Sequence, residues 1–164
     1  MYKNILVPLD GSAISEEALL EARRLVDKGA TITLVTAVDV PDLPAHGFDM
    51  YGGIVLSDSE TKRQMEDWAK GYLENTASNL TAEGYVAKAI VEIGDPAKVV
   101  ADTAVSEHVD VIVMTTHGRS GVSRWLFGSV TSKVLNIAPV PVLVVPSKEK
   151  LRLLEKTSPE AFYG

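Results

Sequence analysis

The sequence predicts a single α/β domain on an open, five-stranded parallel sheet of order 3-2-1-4-5, with helices on both faces. Three observations predict the helix-covered parallel sheet, for which 3-2-1-4-5 is the order taken. Short apolar runs rich in branched residues recur along the chain, as buried parallel strands require. Segments with a helical apolar stripe separate them, so strands and helices alternate. Punctuating residues (Asp-Gly-Ser, Gly-Asp-Pro and isolated glycines) stand at the junctions.

Residues 4–9, NILVPL, form the first strand, and Asp10-Gly11-Ser12 stops it. Ser15 precedes a helix that carries Ala18, Leu19, Ala22, Leu25 and Val26 on one face. Gly29 is expected to close that helix as its C′ residue. Residues 30–40, ATITLVTAVDV, make the second strand. Residues 40–57 hold Pro41, Pro44, Gly47, Gly52 and Gly53, and a connection this long is expected to be functional or mobile. Ser57 or Asp58 caps a long helix through Trp68, Tyr72, Leu73 and Ala77 to about Leu80, and Gly84 ends it.

Residues 85–94 form the third strand. Asp95-Pro96 starts the next helix, with a side-chain acceptor at N-cap and Pro at N1. Ala97, Val100, Ala101, Ala104 and Val105 supply its apolar face. Residues 109–115 and 140–146 are the fourth and fifth strands, with a helix through Val134 and Ile137 between them. The strands are expected to be apolar on both faces. Residues 1–146 then make the domain, and residues 147–164 a tail that is a short helix or loose.

Composition narrows the function. The chain has 164 residues, a formal net charge of −6 and no cysteine. Disulfides, thiolate metal sites and thiol catalysis are excluded. No basic stretch marks a nucleic-acid surface, and no apolar run approaches the ~18 residues of a membrane span. The N-terminus lacks a signal-peptide core, so a cytoplasmic location is expected.

Open parallel sheets bind ligands beyond the carboxyl ends of their strands, where the strand order reverses. In this order the reversal lies between strands one and four, which end at Asp10 and Thr115. There the chain reads MTTHGRSGVSRWLFGSV from Met114. Gly118 and Gly121 allow backbone amides to approach and converge on an anion. Gly128-Ser129 opens the last helix, whose free amides and dipole favour a phosphate. Asp10 suits ribose hydroxyls or an adenine amine. Glycines at such a junction also simply make a turn, and Asp-Gly is a common turn pair. His117 either meets a phosphate or orders its own turn; Arg119 either pairs with a terminal phosphate or is a solvated cation. No P-loop and no GxGxxG after strand one are present.

With KNILVPLDGS, GDPAKVV, MTTHGRSGVSRWLFGSV and APVPVLVV in place, the chain resembles the universal stress protein family over roughly residues 1–146. Its ATP-binding branch carries G-x2-G-x9-G-[ST]. Gly118, Gly128 and Ser129 match the second glycine and the end of that pattern, while Thr115 stands where the first glycine would be. The resemblance implies an adenine nucleotide alpha hydrolase-like fold that binds ATP, or AMP or ADP, as a stress-response module. It implies that Pro8 and Asp10 line the adenine and ribose end. Ala37 and Val38 would supply backbone contacts to adenine, and Met114 would pack near the sugar. Gly118, Gly128, Ser129 and Val130 would meet the phosphates, which would also hold any Mg or Mn. It further implies a homodimer through the edge strand between Val140 and Val145. Two other readings stand beside it. One is a slow ATPase using His117 and Arg119. The other is a nucleotide-free interaction dimer, favoured by Thr115. No Ser-His-Asp order or singled-out carboxylate pair marks a dedicated enzyme.

Overall fold

The computed structural model describes residues 1–39, 58–116, 128–148 and 151–152. The elements run β1 (Tyr2–Pro8), α1 (Ala13–Leu25), β2 (Val26–Val38), α2 (Asp58–Ala82), β3 (Val86–Ile93), α3 (Pro96–Ser106), β4 (Val111–Thr115), α4 (Ser129–Ile137) and β5 (Val142–Val145). The sheet has the order β3-β2-β1-β4-β5, and every neighbouring pair is parallel, as the alternation predicts.

Both faces of the sheet are covered. On one, Ile5, Val7, Ile32 and Leu34 meet Ala18, Leu19 and Ala22 of α1 and Leu73 and Leu80 of α2. On the other, Leu6, Val35 and Ile112 meet Ala97, Val100 and Ala104 of α3 and Val134 of α4. Leu73 and Leu80 are wholly buried, each a stabilisation of about 2 kcal/mol relative to exposure. The expectation of strands apolar on both faces fails at the edge. In β3, Val86 and Ile93 are exposed; the strand is a sheet edge with β2 as its one neighbour.

Several junctions follow local chemistry. Asp95 accepts from the amides of Ala97 and Lys98, with Pro96 at N1. Gly84, at φ +95°, ends α2 in a Schellman arrangement. Its amide reaches the Thr81 carbonyl, and the Tyr85 amide reaches that of Leu80.

Four expectations are corrected. Helix α1 begins one turn earlier than Ser15, because the Ser12 hydroxyl accepts the Ser15 amide and so is the N-cap. Gly29 does not close α1, which passes at Leu25 straight into β2. Instead Gly29, at φ +87°, lies where the β1–β2 register jumps from Tyr2↔Val26 to Asn4↔Thr31. Val26 is accordingly buried as a strand residue and not as part of a helix face. Val105 points outward, 61% exposed, and Val99 is buried in its stead. Residues 40–57 and most of the tail lie outside the described residues.

The sheet is fastened at its amino end. The Asp110 carboxylate accepts the amides of Lys3 and Asn4, and the Asn4 side chain donates to the carbonyls of Glu107 and His108. Strands β1 and β4 then pair only at Ile5↔Val111 and Leu6↔Ile112. Beyond Leu6 and Ile112 each runs on beside its other neighbour.

Candidate functional site

The parting of β1 from β4 makes a cavity of about 260 Å³ at the carboxyl ends of the strands. This is where the strand order reverses, the usual ligand position in open α/β sheets. The apolar walls come from Val35 and Ala37 of β2, Val100 of α3 and Met114 of β4.

One polar corner is the β1–α1 turn. Asp10 lines the cavity, and its Oδ1 accepts from both the amide and the hydroxyl of Ser12, at 2.9 and 2.6 Å. The Ser15 hydroxyl accepts the Asp10 amide and donates to the Ser12 carbonyl. These bonds fix the carboxylate on the turn.

The opposite corner is the start of α4. Gly128 is its N-cap, in extended backbone, and among the described residues no side chain caps the helix. The first helical bond runs from the Ser132 amide to the Gly128 carbonyl. The amides of Ser129, Val130 and Thr131 therefore precede the i→i−4 ladder, and all three residues line the cavity. Thr131 reaches the other way, donating its buried hydroxyl to the Thr115 carbonyl at 3.0 Å. That bond ties the helix start to the end of β4.

Of the twelve residues singled out in sequence, Pro8, Asp10, Ala37, Met114, Thr115, Gly128, Ser129 and Val130 surround this cavity. Val38 does not line it; it is buried, and its carbonyl accepts the Gly94 amide. Gly118, Arg119 and Gly121, with His117, lie outside the described residues. The Gly128 amide, for which the resemblance implied a phosphate, donates to the Thr116 carbonyl at 2.6 Å. Thr115 is buried, and its carbonyl is one of the Thr131 anchors. Sequence reasoning missed Leu9, Val35 and Pro96 as cavity residues, and also Ser15, Val100 and Thr131. Ser15 carried the signal of a second hydroxyl one turn past Ser12. Val100 and Thr131 depend on how α3 and α4 dock.

Outside the cavity, burial and then the hydrogen bond donated to Glu16 hold the Tyr72 hydroxyl above its ordinary range, so it stays protonated. Among the described residues no group of three or more His, Asp or Glu side chains is placed to hold a metal. No helix among them is long and apolar enough to cross a membrane.

A sequence model described as the universal stress protein family matches residues 1–146. The chain belongs to that family. Universal stress protein MJ0577 of Methanocaldococcus jannaschii is 31% identical over 157 residues, covering 90% of this chain and 97% of the relative. The solved structure of MJ0577 superposes with a TM-score of 0.78, covering 90% of this chain and 98% of the other. Universal stress protein UspA from Lactobacillus plantarum, 27% identical, superposes with a TM-score of 0.68, covering 88% and 97%.

Proposed function

We propose that this universal stress protein binds an adenine nucleotide, ATP or a close relative, in the β1–β4 cleft and acts as a nucleotide-dependent regulatory module. One observation carries the reading: the helix start, with no side-chain cap among the described residues, and the Asp10 turn border the same cavity. An anion is favoured at the first, by orphan amides and the helix dipole. Hydroxyls or an amine are favoured at the second, by a carboxylate that accepts. Between them lie apolar walls suited to the faces of a base.

In this reading the adenine lies against Val35 and Ala37, the ribose beside Asp10 and Met114, and the phosphates at Ser129, Val130 and Thr131. The Ser129 hydroxyl adds a donor. Mg or Mn would be held through the phosphates, whose oxygens are the hard ligands such cations prefer. Support also comes from two proteins of this fold, one universal stress protein solved in complex with cAMP and one from Arabidopsis thaliana with AMP bound.

The regulatory form is proposed to be a homodimer. Strand β5 is a sheet edge, and edge strands with apolar side chains invite pairing. Leu143 is exposed there, beside an apolar groove shared with Leu20 and Leu151. A second copy, related by a two-fold axis, would cover both.

Thermal unfolding with and without nucleotide tests the reading. A ligand at about 100 times its Kd adds about 2.7 kcal/mol, or roughly 5–10 °C in Tm for a domain of this size. A Tm unmoved by millimolar ATP, ADP, AMP and cyclic AMP overturns it.

A further inference from the structure

An aromatic pair sits against the turn that carries Asp10. Gly11 adopts φ +78°, and a Cβ at that position would stand 2.2 Å from Cη2 of Trp68. The indole of Trp68 therefore lies flush on the glycine backbone. It is half exposed, so burial alone does not account for its place on α2. Its ring is stacked on that of Tyr72, with centroids 5.5 Å apart and planes 5° from parallel. The Tyr72 hydroxyl donates to Glu16 of α1 at 2.8 Å, and the Glu16 amide bonds the Ser12 carbonyl. Helix α2 thus grips the turn at two points, by contact at Gly11 and by hydrogen bond at the start of α1.

On the inner side of that turn, Asp10 Oδ1 holds the Ser12 amide and hydroxyl. Gly11 is the link between the two partners. A glycine has the widest conformational freedom of any residue, so contact at Gly11 adds a constraint to those that the turn's own hydrogen bonds supply. We propose that Trp68 is a positioning residue for Asp10: its indole, backed by Tyr72, holds the Asp10–Ser12 turn so that the carboxylate stands in the cleft. This rests on the nucleotide reading for its consequence at the ribose, but not for the clamp itself. Coupling of this kind is reciprocal, so a ligand that engages Asp10 also acts on the outer face of α2.

Two measurements on the full chain test it, with Trp68→Ala and Trp68→Phe. The first needs no ligand. Water exchange of the Ser12 amide, followed by NMR, is expected to rise at least ten-fold in Trp68→Ala and to return towards wild type in Trp68→Phe. Amides of α3 should keep their rates. An unchanged Ser12 rate, or a rise matched throughout α3, overturns the clamp.

The second compares ATP with 2′,3′-dideoxy-ATP. Wild type is expected to prefer the ribose form, Trp68→Ala to lose most of that preference, and Trp68→Phe to regain it. Affinity for inorganic triphosphate should be the same in all three. Discrimination intact in Trp68→Ala overturns the positioning role. Absence of any nucleotide binding by wild type overturns the functional reading, and Ser12 exchange still decides the clamp.

Discussion

Replacing Gly11 by alanine isolates two costs that the structure specifies separately. The backbone there is left-handed, at φ +78°, which costs an L-residue about 1–2 kcal/mol. The added methyl would overlap the Trp68 ring at 2.2 Å, and overpacking of this kind costs about 1–3 kcal/mol. Alanine also restricts the unfolded chain, returning about 0.5 kcal/mol. Gly11→Ala is therefore expected to lose about 2–4 kcal/mol in urea unfolding and roughly 10 °C in Tm. The double variant Gly11→Ala/Trp68→Leu relieves the overlap and leaves the backbone cost. It should be less destabilised than the sum of its single variants by about 1–3 kcal/mol. A Gly11→Ala loss below about 0.5 kcal/mol, or strict additivity in the double variant, would refute the reasoning.

Three further outcomes are expected. Gly128→Val fits the extended backbone, φ −67° and ψ 165°, so unfolding should shift by less than about 1 kcal/mol. Its branched side chain at the cavity wall should lower ATP affinity at least ten-fold by calorimetry. Hydrogen bonds from Lys133, Lys98 and Ala97 hold the Asp95 carboxyl below its ordinary value, and the Lys3 and Asn4 amides do the same for Asp110. With both folded values depressed, their stabilisation is complete above about pH 4 and is lost as pH falls through the lower folded values. The urea midpoint should hold between about pH 5 and 7, decline in acid, and decline less in Asp95→Asn/Asp110→Asn. Leu143→Asp places a charge on the exposed edge of β5; on the dimer proposed above, light scattering should report two copies for wild type and one for the variant, and a wild-type monomer overturns that proposal.

The fold was legible because its rules act locally. Asp95-Pro96 and Gly84 are capping signals whose partners lie within a few residues, and both behave as their chemistry dictates. The parallel pairing followed from alternation, since parallel strands demand crossover helices; the order 3-2-1-4-5 is one of several that such alternation allows, and it is the one observed. The errors fell where a local signal had two outlets. Ser12 and Ser15 are both competent N-caps, and the choice between them was made by Asp10, which binds Ser12. Gly29 satisfies a helix end or a strand irregularity equally well.

At the cavity, residues at strand ends were readable from topology. The occupied amide of Gly128 was not, since its acceptor Thr116 stands across a long connection. Trp68 was legible as a helix residue only; its seat on Gly11 depends on how α2 docks against the opposite end of the sequence.

The arrangement of β1 and β4 makes the domain behave like tongs with a riveted joint. The rivet is the Asn4 and Asp110 stitching, and the jaws are the last residues of the two strands, which share no rungs. Each jaw is also pinned on its outer side, Val7 and Pro8 to β2 and Val113, Met114 and Thr115 to β5, so the gap between them has two stiff edges. The gap opens between Asp10, just ahead of α1, and Ser129, the first residue of α4, so any change in its width is felt first at those two helix starts and last at the joint.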